Sequence, residues 1–115
     1  MEECIFCKIV TKEIPSEKVC ESENFIGILD VNPISEGHTL IISKKHYENI
    51  LDFPTEYSKE LIELIKKRGS ELIKTDIAEG LTILQRNFTV AGQEVPHLHF
   101  HIIPRKKDDG FEDRF

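Results

Sequence analysis

The segment His97-Leu98-His99-Phe100-His101-Ile102-Ile103 constrains this chain more than any other part of it. Residues two apart on a β-strand point to the same face of a sheet, so one face would carry the histidines and the other Leu98, Phe100 and Ile102. Three of the chain's five histidines lie here. Because imidazole changes charge near neutral pH, it can serve as a base, a nucleophile or a metal ligand. The segment therefore predicts a strand with one core face and one chemically active face.

Length and composition set the broad class. The chain has 115 residues, of which 39% are hydrophobic and 31% charged, and we expect a single domain spanning residues 1–115. We find no apolar run of transmembrane length and no basic region at the start, so a cytoplasmic protein with no membrane partner is expected. A formal charge of −6 disfavours a nucleic acid polymer as partner. An anionic substrate would need positive potential supplied locally.

Apolar periodicity predicts an α+β fold. A short N-terminal helix ends before Pro15, and a long amphipathic helix runs from Thr55, its expected N-cap, to about Ala78, with Gly80 as the residue after its end. Period-two or continuous apolar runs predict a mainly antiparallel sheet of about five strands. Those strands are expected at residues 18–21, 24–30, 38–43, 81–85 and 97–103. Pro104 is expected to end the last strand.

Two loop residues have both a functional and a purely structural interpretation. Asp30, at a strand end, is placed to accept hydrogen bonds from a ligand diol, although an aspartate there more often caps a turn. Gly92 lets backbone approach a ligand closely and could expose N–H groups to an anion. It could equally be a turn glycine in a hairpin connection.

The row of histidines leaves two classes of chemistry open. Three imidazoles can hold a catalytic zinc, or one imidazole can attack a substrate atom while the others orient it. The surroundings favour the second class, since Glu94 is the one carboxylate in the local segment. His38, Asp30 and the loop at Gly92-Gln93 suit a phosphate and a sugar. A polar strand face without chemistry is the third alternative.

The sequence resembles the histidine triad (HIT) superfamily of nucleotide hydrolases and transferases. Residues 97–103 match its His-x-His-x-His-x-x motif, and the resemblance extends over roughly residues 4–105. Four further motifs agree in order: Leu29-Asp30, Gly37-His38-Thr39-Leu40, Ala91-Gly92-Gln93 and Pro104-Arg105. The resemblance implies the HIT-like fold and an active homodimer in which two sheets join.

The resemblance also implies roles for single residues. His99 would attack the α-phosphorus of a nucleoside phosphate derivative, and water would then release the nucleoside monophosphate from a nucleotidyl-histidine intermediate. His101 would bind the phosphate oxygens, while His38 and the backbone around the triad fix the tautomer of His99. Gln93 would bridge phosphate and leaving group, and Asp30 would bind the ribose hydroxyls. The remaining implied nucleotide contacts are Phe6, Ile9, Phe25 and Ile28 around the base, with Asn87 and Gly92 in the loop before the triad.

A structural zinc site is also implied by the resemblance, because family members with an N-terminal Cys-x-x-Cys often bind zinc. Its ligands here would be Cys4, Cys7, His46 and His97, a set of two thiolates and two imidazoles that suits a closed tetrahedral site. Cys20 would remain as a small core residue. The alternative is a buried cysteine pair without metal. No cofactor is expected to be required for catalysis.

Two residues depart from the family pattern and leave the substrate open. Arg86 lies where many relatives have asparagine, and its charge favours a polyphosphate. Glu94 lies where the phosphoramidase branch commonly has a hydroxyl residue, and its carboxylate favours an amine leaving group. The expected activity is therefore cleavage of a phosphoramidate or a dinucleoside polyphosphate. A metal-dependent hydrolase and a catalytically silent nucleotide-binding module are the alternatives.

Overall fold

A five-stranded antiparallel sheet organises the protein, whose computed structural model describes residues 4–111. The strands are β1 (Lys18–Glu21), β2 (Phe25–Leu29), β3 (Thr39–Ser43), β4 (Gly80–Leu84) and β5 (His99–Arg105), in the spatial order β1-β2-β3-β5-β4. The helices are α1 (Ile5–Val10) and α2 (Ser58–Lys74), with short 3-10 turns at Thr55–Tyr57 and Thr89–Ala91. The predicted α+β fold is confirmed.

The sheet is covered on both faces by different helices. On one face α2 packs its buried residues Leu61, Leu64 and Leu72 against the sheet. On the other face Phe6 and Ile9 of the short helix α1 form a second, smaller core with Ile26, Ile28, Leu40 and Ile42. Because α1 is short, it leaves part of this face of the sheet uncovered, and the candidate site lies in that uncovered part.

Strand β5 has the alternation that the histidine row predicts. Leu98 and Ile102 belong to the core under α2, and Phe100 packs against that core. His99 and His101 point to the α1 face, where the ring of Phe6 meets His99 edge-on at a centroid distance of 4.9 Å. The strand β5 lies between β3 and β4, so pairing fixes the register of both histidines: His101 pairs with Leu40 of β3 and Leu84 of β4, and His99 pairs with Ile42 of β3.

The end of α2 differs from the prediction. The helix ends at Lys74 rather than near Ala78, because Asp76 adopts a left-handed conformation with φ of 60°. The N–H of Ile77 then donates to the Leu72 carbonyl, and the N–H of Asp76 donates to the Ile73 carbonyl. This is the Schellman arrangement, which glycine usually provides. Gly80 instead begins β4, and the first turn at Thr55 is a 3-10 turn.

Pro104 does not end the last strand, as the sequence predicted, but lies within β5 opposite Leu81. The last residue of β5 paired with β3 is Ile102. The Pro104 carbonyl, on the side of β3, accepts instead from the Ser35 hydroxyl at 2.6 Å. The backbone N and O of one residue point to the same side of an antiparallel strand. The nitrogen of Pro104, which lacks a hydrogen, therefore also faces β3, where strand pairing has already ended and no donor is needed.

Neither helix within residues 4–111 has the length and apolar character needed to cross a membrane.

Candidate active site and metal site

A pocket of about 640 Å³ opens on the α1 face beside the histidine strand. Phe6, Ile9 and Ile28 contribute apolar wall, while His99 and His101 bring ring nitrogens to it. Asp30, Arg86 and Glu94 are the charged residues among its described lining. A cavity of this size with an apolar wall and a few convergent polar groups is typical of a small-molecule site.

The ring of His99 is held in one tautomer by its own strand. Its Nδ1 lies 2.7 Å from the backbone carbonyl oxygen of His97, so Nδ1–H donates and Nε2 carries the lone pair. Burial lowers the pKa of His99 below its usual range, against smaller opposing effects of that carbonyl and of the Asp30 and Glu94 carboxylates. The imidazole is therefore neutral at pH 7 and has the form that a nucleophile requires.

A chain of hydrogen bonds fixes the tautomer of His101 from the preceding loop. The N–H of Ile34 donates to Nδ1 of His38 at 3.1 Å, so the proton of the neutral His38 ring is on Nε2. That Nε2 lies 3.0 Å from Nδ1 of His101 and donates to it. The proton of His101 is then on Nε2, the ring nitrogen left to donate to a ligand. Burial, then the neighbouring histidines His99 and His38, lower the pKa of His101 to about 4.

Asp30 both shapes its loop and lines the pocket. Its Oδ1 accepts from the N–H of Asn32 at 2.9 Å, the turn contact that a strand-end aspartate commonly makes. Its Oδ2 lies 3.5 Å from Nε2 of His38, whose pKa is lowered by burial and raised to a smaller extent by this carboxylate. Both interpretations of Asp30 in the sequence are therefore compatible with its position.

The second cluster of functional groups lies at the start of α1. Cys4, Cys7, His46 and His97 each offer one ligand atom, and these atoms all lie within 4.8 Å of one another. Cys4 Sγ is 3.2 Å from Nδ1 of His97, and Cys7 Sγ is 3.3 Å from Nδ1 of His46. A tetrahedral zinc with bonds of about 2.0–2.3 Å keeps its ligand atoms roughly 3.3–3.8 Å apart. The donor set and its spacing thus fit zinc.

The tautomer of His97 also suits a metal ligand. Its Nε2 lies 2.7 Å from the Ser43 carbonyl oxygen and donates to it, which leaves the Nδ1 lone pair facing the cysteines. Such an outer hydrogen bond commonly orients a histidine ligand. Burial and then the neighbouring Cys4 raise the pKa of Cys7 to about 11, so a cation would be needed to hold Cys7 as a thiolate at neutral pH.

The structure corrects the prediction for Phe25. Ile28, at the same strand, lines the pocket, but Phe25 points to the opposite face and packs against Phe53 beneath α2. Residues 25 and 28 have opposite parity on β2, so only one of them can face the pocket. Phe6 and Ile9 do line it. Phe25 is a core residue and not a wall of the pocket.

Two predicted loop contacts are engaged elsewhere. Gln93 is buried, its Oε1 accepts from the N–H of Phe88 at 2.7 Å, and its Nε2 donates to the Glu48 carbonyl at 2.6 Å. The Asn87 amide bonds to Gln85 and to the N–H of Ile50. Neither side chain lines the pocket, whereas Gly92 does. Gln93 and Asn87 hold the loop that carries Gly92 and Arg86.

Sequence reasoning missed three contributors to the two sites. The N–H of Ile34 and the carbonyl of Ser43 act through backbone atoms, which carry no residue-type signal. Phe111 lines the pocket because Arg105 holds the chain after β5. The Arg105 guanidinium pairs with Asp109, donates to the Phe111 carbonyl at 2.8 Å and lies 4.5 Å from the Phe111 ring centroid.

Comparison with known proteins identifies the family of this chain. The sequence model of the HIT domain matches residues 11–108. A HIT-like protein of Methanocaldococcus jannaschii is 48% identical over 93% of this chain and 82% of its own length. Adenosine 5′-monophosphoramidase HNT1 of Candida albicans is 40% identical, over 91% of this chain and 72% of its own. Adenylylsulfatase HINT3 of Arabidopsis thaliana is 36% identical, over 93% of this chain and 54% of its own.

Solved structures with the same fold include two bacterial proteins. A HIT family member from Bacillus subtilis superposes with a TM-score of 0.91 at 40% identity, covering 98% of this chain and 81% of that one. A zinc-bound histidine triad protein from Mycobacterium smegmatis gives 0.91 at 33% identity, covering 98% and 82%. With its histidine row, its pocket and these relatives taken together, the chain belongs to the HIT family.

Proposed function

We propose that this protein cleaves a nucleoside 5′-phosphate derivative at the α-phosphorus through a covalent intermediate on His99. The observation that carries the proposal is the contact between His99 Nδ1 and the His97 carbonyl, because it leaves an unprotonated Nε2 on a neutral ring at the pocket. Relatives named as a monophosphoramidase and an adenylylsulfatase, at 40% and 36% identity, support hydrolysis of a nucleotide substrate.

In the first step Nε2 of His99 attacks the α-phosphorus, so a nitrogen–phosphorus bond forms while the bond to the leaving group breaks. A leaving phosphate or sulfate departs with the bonding electron pair as an oxyanion, whereas a leaving amine also takes up a proton from solvent. The Nε2–H of His101 donates to a phosphate oxygen on which negative charge is concentrated. Asp30 accepts hydrogen bonds from the ribose hydroxyls, and Phe6, Ile9 and Ile28 form the apolar wall against the base.

In the second step water attacks the same phosphorus. The bond to His99 breaks, the nucleoside monophosphate leaves, and the imidazole returns to its neutral form with Nδ1–H still bound to the His97 carbonyl. The water proton leaves with the product or passes to solvent. Because the charge of the phosphoryl group is met by N–H donors, neither step needs a metal ion.

The alternative of a hydrolase that uses all three histidines on one metal is less compatible with the geometry. The described residues contain two clusters that could hold a metal ion. One consists of His97 with Cys4, Cys7 and His46, and the other consists of His101 with Asp30 and His38. His99 belongs to neither group. The ring nitrogens in the second group already bond to each other, which accounts for their proximity.

A structural zinc would be held by Cys4, Cys7, His46 and His97, and it would tie the start of α1 to the residues just before β5 and to the segment after β3. A bound zinc would supply cross-linking and no chemistry at phosphorus. We also propose a cytoplasmic homodimer. Strand β4 supports it, since it is an edge of the sheet and its Ile83 side chain is 44% exposed.

The test is hydrolysis of adenosine 5′-phosphoramidate and of diadenosine polyphosphates by the wild type and by His99→Ala, with and without a chelator. Released AMP that resists the chelator and is lost in His99→Ala supports the covalent mechanism. Activity that a chelator abolishes and zinc restores would favour the metal hydrolase. A wild type that binds AMP without turnover would favour the binding module.

A further inference from the structure

The described part of the pocket lining contains one permanent cation, Arg86. His38, His99 and His101 also reach the pocket, and each makes a hydrogen bond within the protein through a ring nitrogen. The two carboxylates of the lining, Asp30 and Glu94, are of the opposite sign. Arg86 is therefore the one side chain of this described lining whose positive charge does not depend on pH.

The position of Arg86 is defined by β4 and by Gly92. Leu84, the last residue of β4, pairs with His101 and lines the pocket, and Arg86, two residues beyond the strand, lines it as well. Its guanidinium lies against Gly92, where a Cβ would come within 2.8 Å of Nη1. Gly92 also has φ of +92°, which disfavours any side chain there. The glycine thus makes room for the arginine.

Arg86 forms no ion pair within residues 4–111, although the protein carries a net charge of −6. Its charge nevertheless acts on the site, since it contributes to lowering the pKa of His101, after burial and the neighbouring histidines. An unpaired guanidinium at a pocket offers up to five N–H donors in a planar fork that matches phosphate, sulfate or carboxylate.

The sheet order separates the nucleoside side of the pocket from the Arg86 side. Asp30 follows β2 and Arg86 follows β4, and the strands between them are β3 and the histidine strand β5. A substrate with its ribose at Asp30 and its α-phosphorus at His99 therefore extends its leaving group toward Arg86. The Arg86 guanidinium is therefore placed to contact the leaving group.

We propose that Arg86 selects substrates whose α-phosphate is joined to a second oxyanion, such as sulfate or a further phosphate, over substrates with an uncharged amine leaving group. This inference rests on the function proposed above. Arg86 binds the departing oxyanion while the bond between it and phosphorus breaks in the attack by His99. Glu94, on the same pocket, acts with the opposite sign and repels the oxyanion.

The test compares kcat/KM for adenosine 5′-phosphosulfate and adenosine 5′-phosphoramidate, which share AMP and differ in the charge of the leaving group. Arg86→Met should lower the ratio of the two values about tenfold or more, the effect of losing a charge-assisted contact. Arg86→Lys should restore most of the ratio, and Glu94→Gln should raise it. Lys66→Met, which removes the same charge from an exposed position on α2, should leave it unchanged. An unchanged ratio in Arg86→Met would overturn the inference.

A binding measurement separates this inference from the proposed function. Calorimetry gives Kd for AMP and for α,β-methylene-ADP with the wild type and Arg86→Met. If the wild type turns over neither substrate but Arg86→Met weakens the diphosphate analogue much more than AMP, the proposed hydrolysis fails and the role of Arg86 in anion binding stands. If the variant weakens both ligands equally or neither, the inference about Arg86 fails whatever the activity.

Discussion

Nδ1 of His99 lies 2.7 Å from the backbone carbonyl oxygen of His97, and this contact links the two sites of the protein. The side chain of His97 faces Cys4 and Cys7, while its carbonyl sets the proton position on His99. Phe6 of α1 contacts both rings edge-on, at centroid distances of 5.7 and 4.9 Å. Anything that displaces the backbone at His97 is therefore expected to alter the orientation of His99.

The first prediction concerns the pH dependence of activity. Burial lowers the pKa of both His99 and His101, so neutral imidazoles persist below pH 6.5, the usual value for histidine. We expect kcat/KM to stay level as the pH falls from 7.5 through 6.5, and to decline only at lower pH. A profile of kcat/KM between about pH 4.5 and 8.5 measures this. An acid limb centred at or above the usual histidine pKa would contradict the neutral pair.

Stability should depend on pH through the same groups. The pKa of His101 is about 4 in the folded protein and 6.5 in the unfolded reference, so the unfolded chain binds more protons between these values. The free energy of unfolding therefore rises with pH across that window, and this contribution is lost as the pH falls through it. The thermal midpoint should be lower at pH 5 than at pH 7. The variant His101→Gln should show a smaller difference, and an equal difference would contradict the assignment.

His38 is expected to act as a positioning residue through His101. His38→Leu removes the Nε2–H donor to His101 Nδ1 and frees the His101 ring to change tautomer. We expect kcat/KM to fall about tenfold or more, as for other partners that orient a functional imidazole. His38→Gln keeps a hydrogen-bond donor and an acceptor. It should therefore retain more activity than His38→Leu, and the pH profiles of the two variants should differ. Equal losses, with both variants folded by circular dichroism, would indicate a packing role only.

Metal binding is expected to depend on the cysteines at α1 and not on the third cysteine. Cys7→Ala removes one of four ligands, so zinc content should fall and the thermal midpoint should drop by about 5 °C or more. Cys20 lies in the core under α2, and Cys20→Ala is the matched control. It should lose stability through packing but keep its zinc. Elemental analysis of the purified proteins distinguishes the two variants. Equal zinc content in the wild type, Cys7→Ala and Cys20→Ala would contradict the proposed ligand set.

The two phenylalanines predicted for the base site should now differ in effect. Phe6 lines the pocket, so Phe6→Leu should raise KM for nucleotide substrates. Phe25 is 1% exposed on the opposite face, so Phe25→Leu should lower stability by about 1–2 kcal/mol and leave KM unchanged. Kinetics and urea unfolding of both variants check this. A raised KM in Phe25→Leu at full stability would restore its predicted role.

Much of the fold was accessible from the sequence because period-two patterns are local. The face of each β5 residue follows from parity alone, and the prediction for β1 agrees with Lys18–Glu21 residue by residue. Where prediction failed, the cause was an unusual residue at a helix end or a contact between residues distant in sequence. Asp76 ends α2 in a conformation usually reserved for glycine, and Pro104 is tolerated because Ser35, 69 residues earlier, bonds its carbonyl where the β3 ladder stops.

The residue types of the site could be predicted more readily than the hydrogen bonds and contacts between them. Histidines and cysteines are visible in the sequence, and their grouping follows from resemblance to a family. Phe25 was assigned to the base site by resemblance, although its parity on β2 is opposite to that of Ile28. The backbone partners Ile34 and Ser43, and the hold of Arg105 on Phe111, depend on contacts that only the folded chain brings together.

The most direct test of the central claim is a search for the covalent intermediate on His99. The wild type is mixed with adenosine 5′-phosphoramidate, quenched within milliseconds into denaturing base and analysed by mass spectrometry of its peptides. We predict an adenylyl group on the ring of His99 that decays as AMP appears, and none in His99→Asn. Turnover to AMP with no adenylylated peptide at any time, or the same adduct in His99→Asn, would contradict the account.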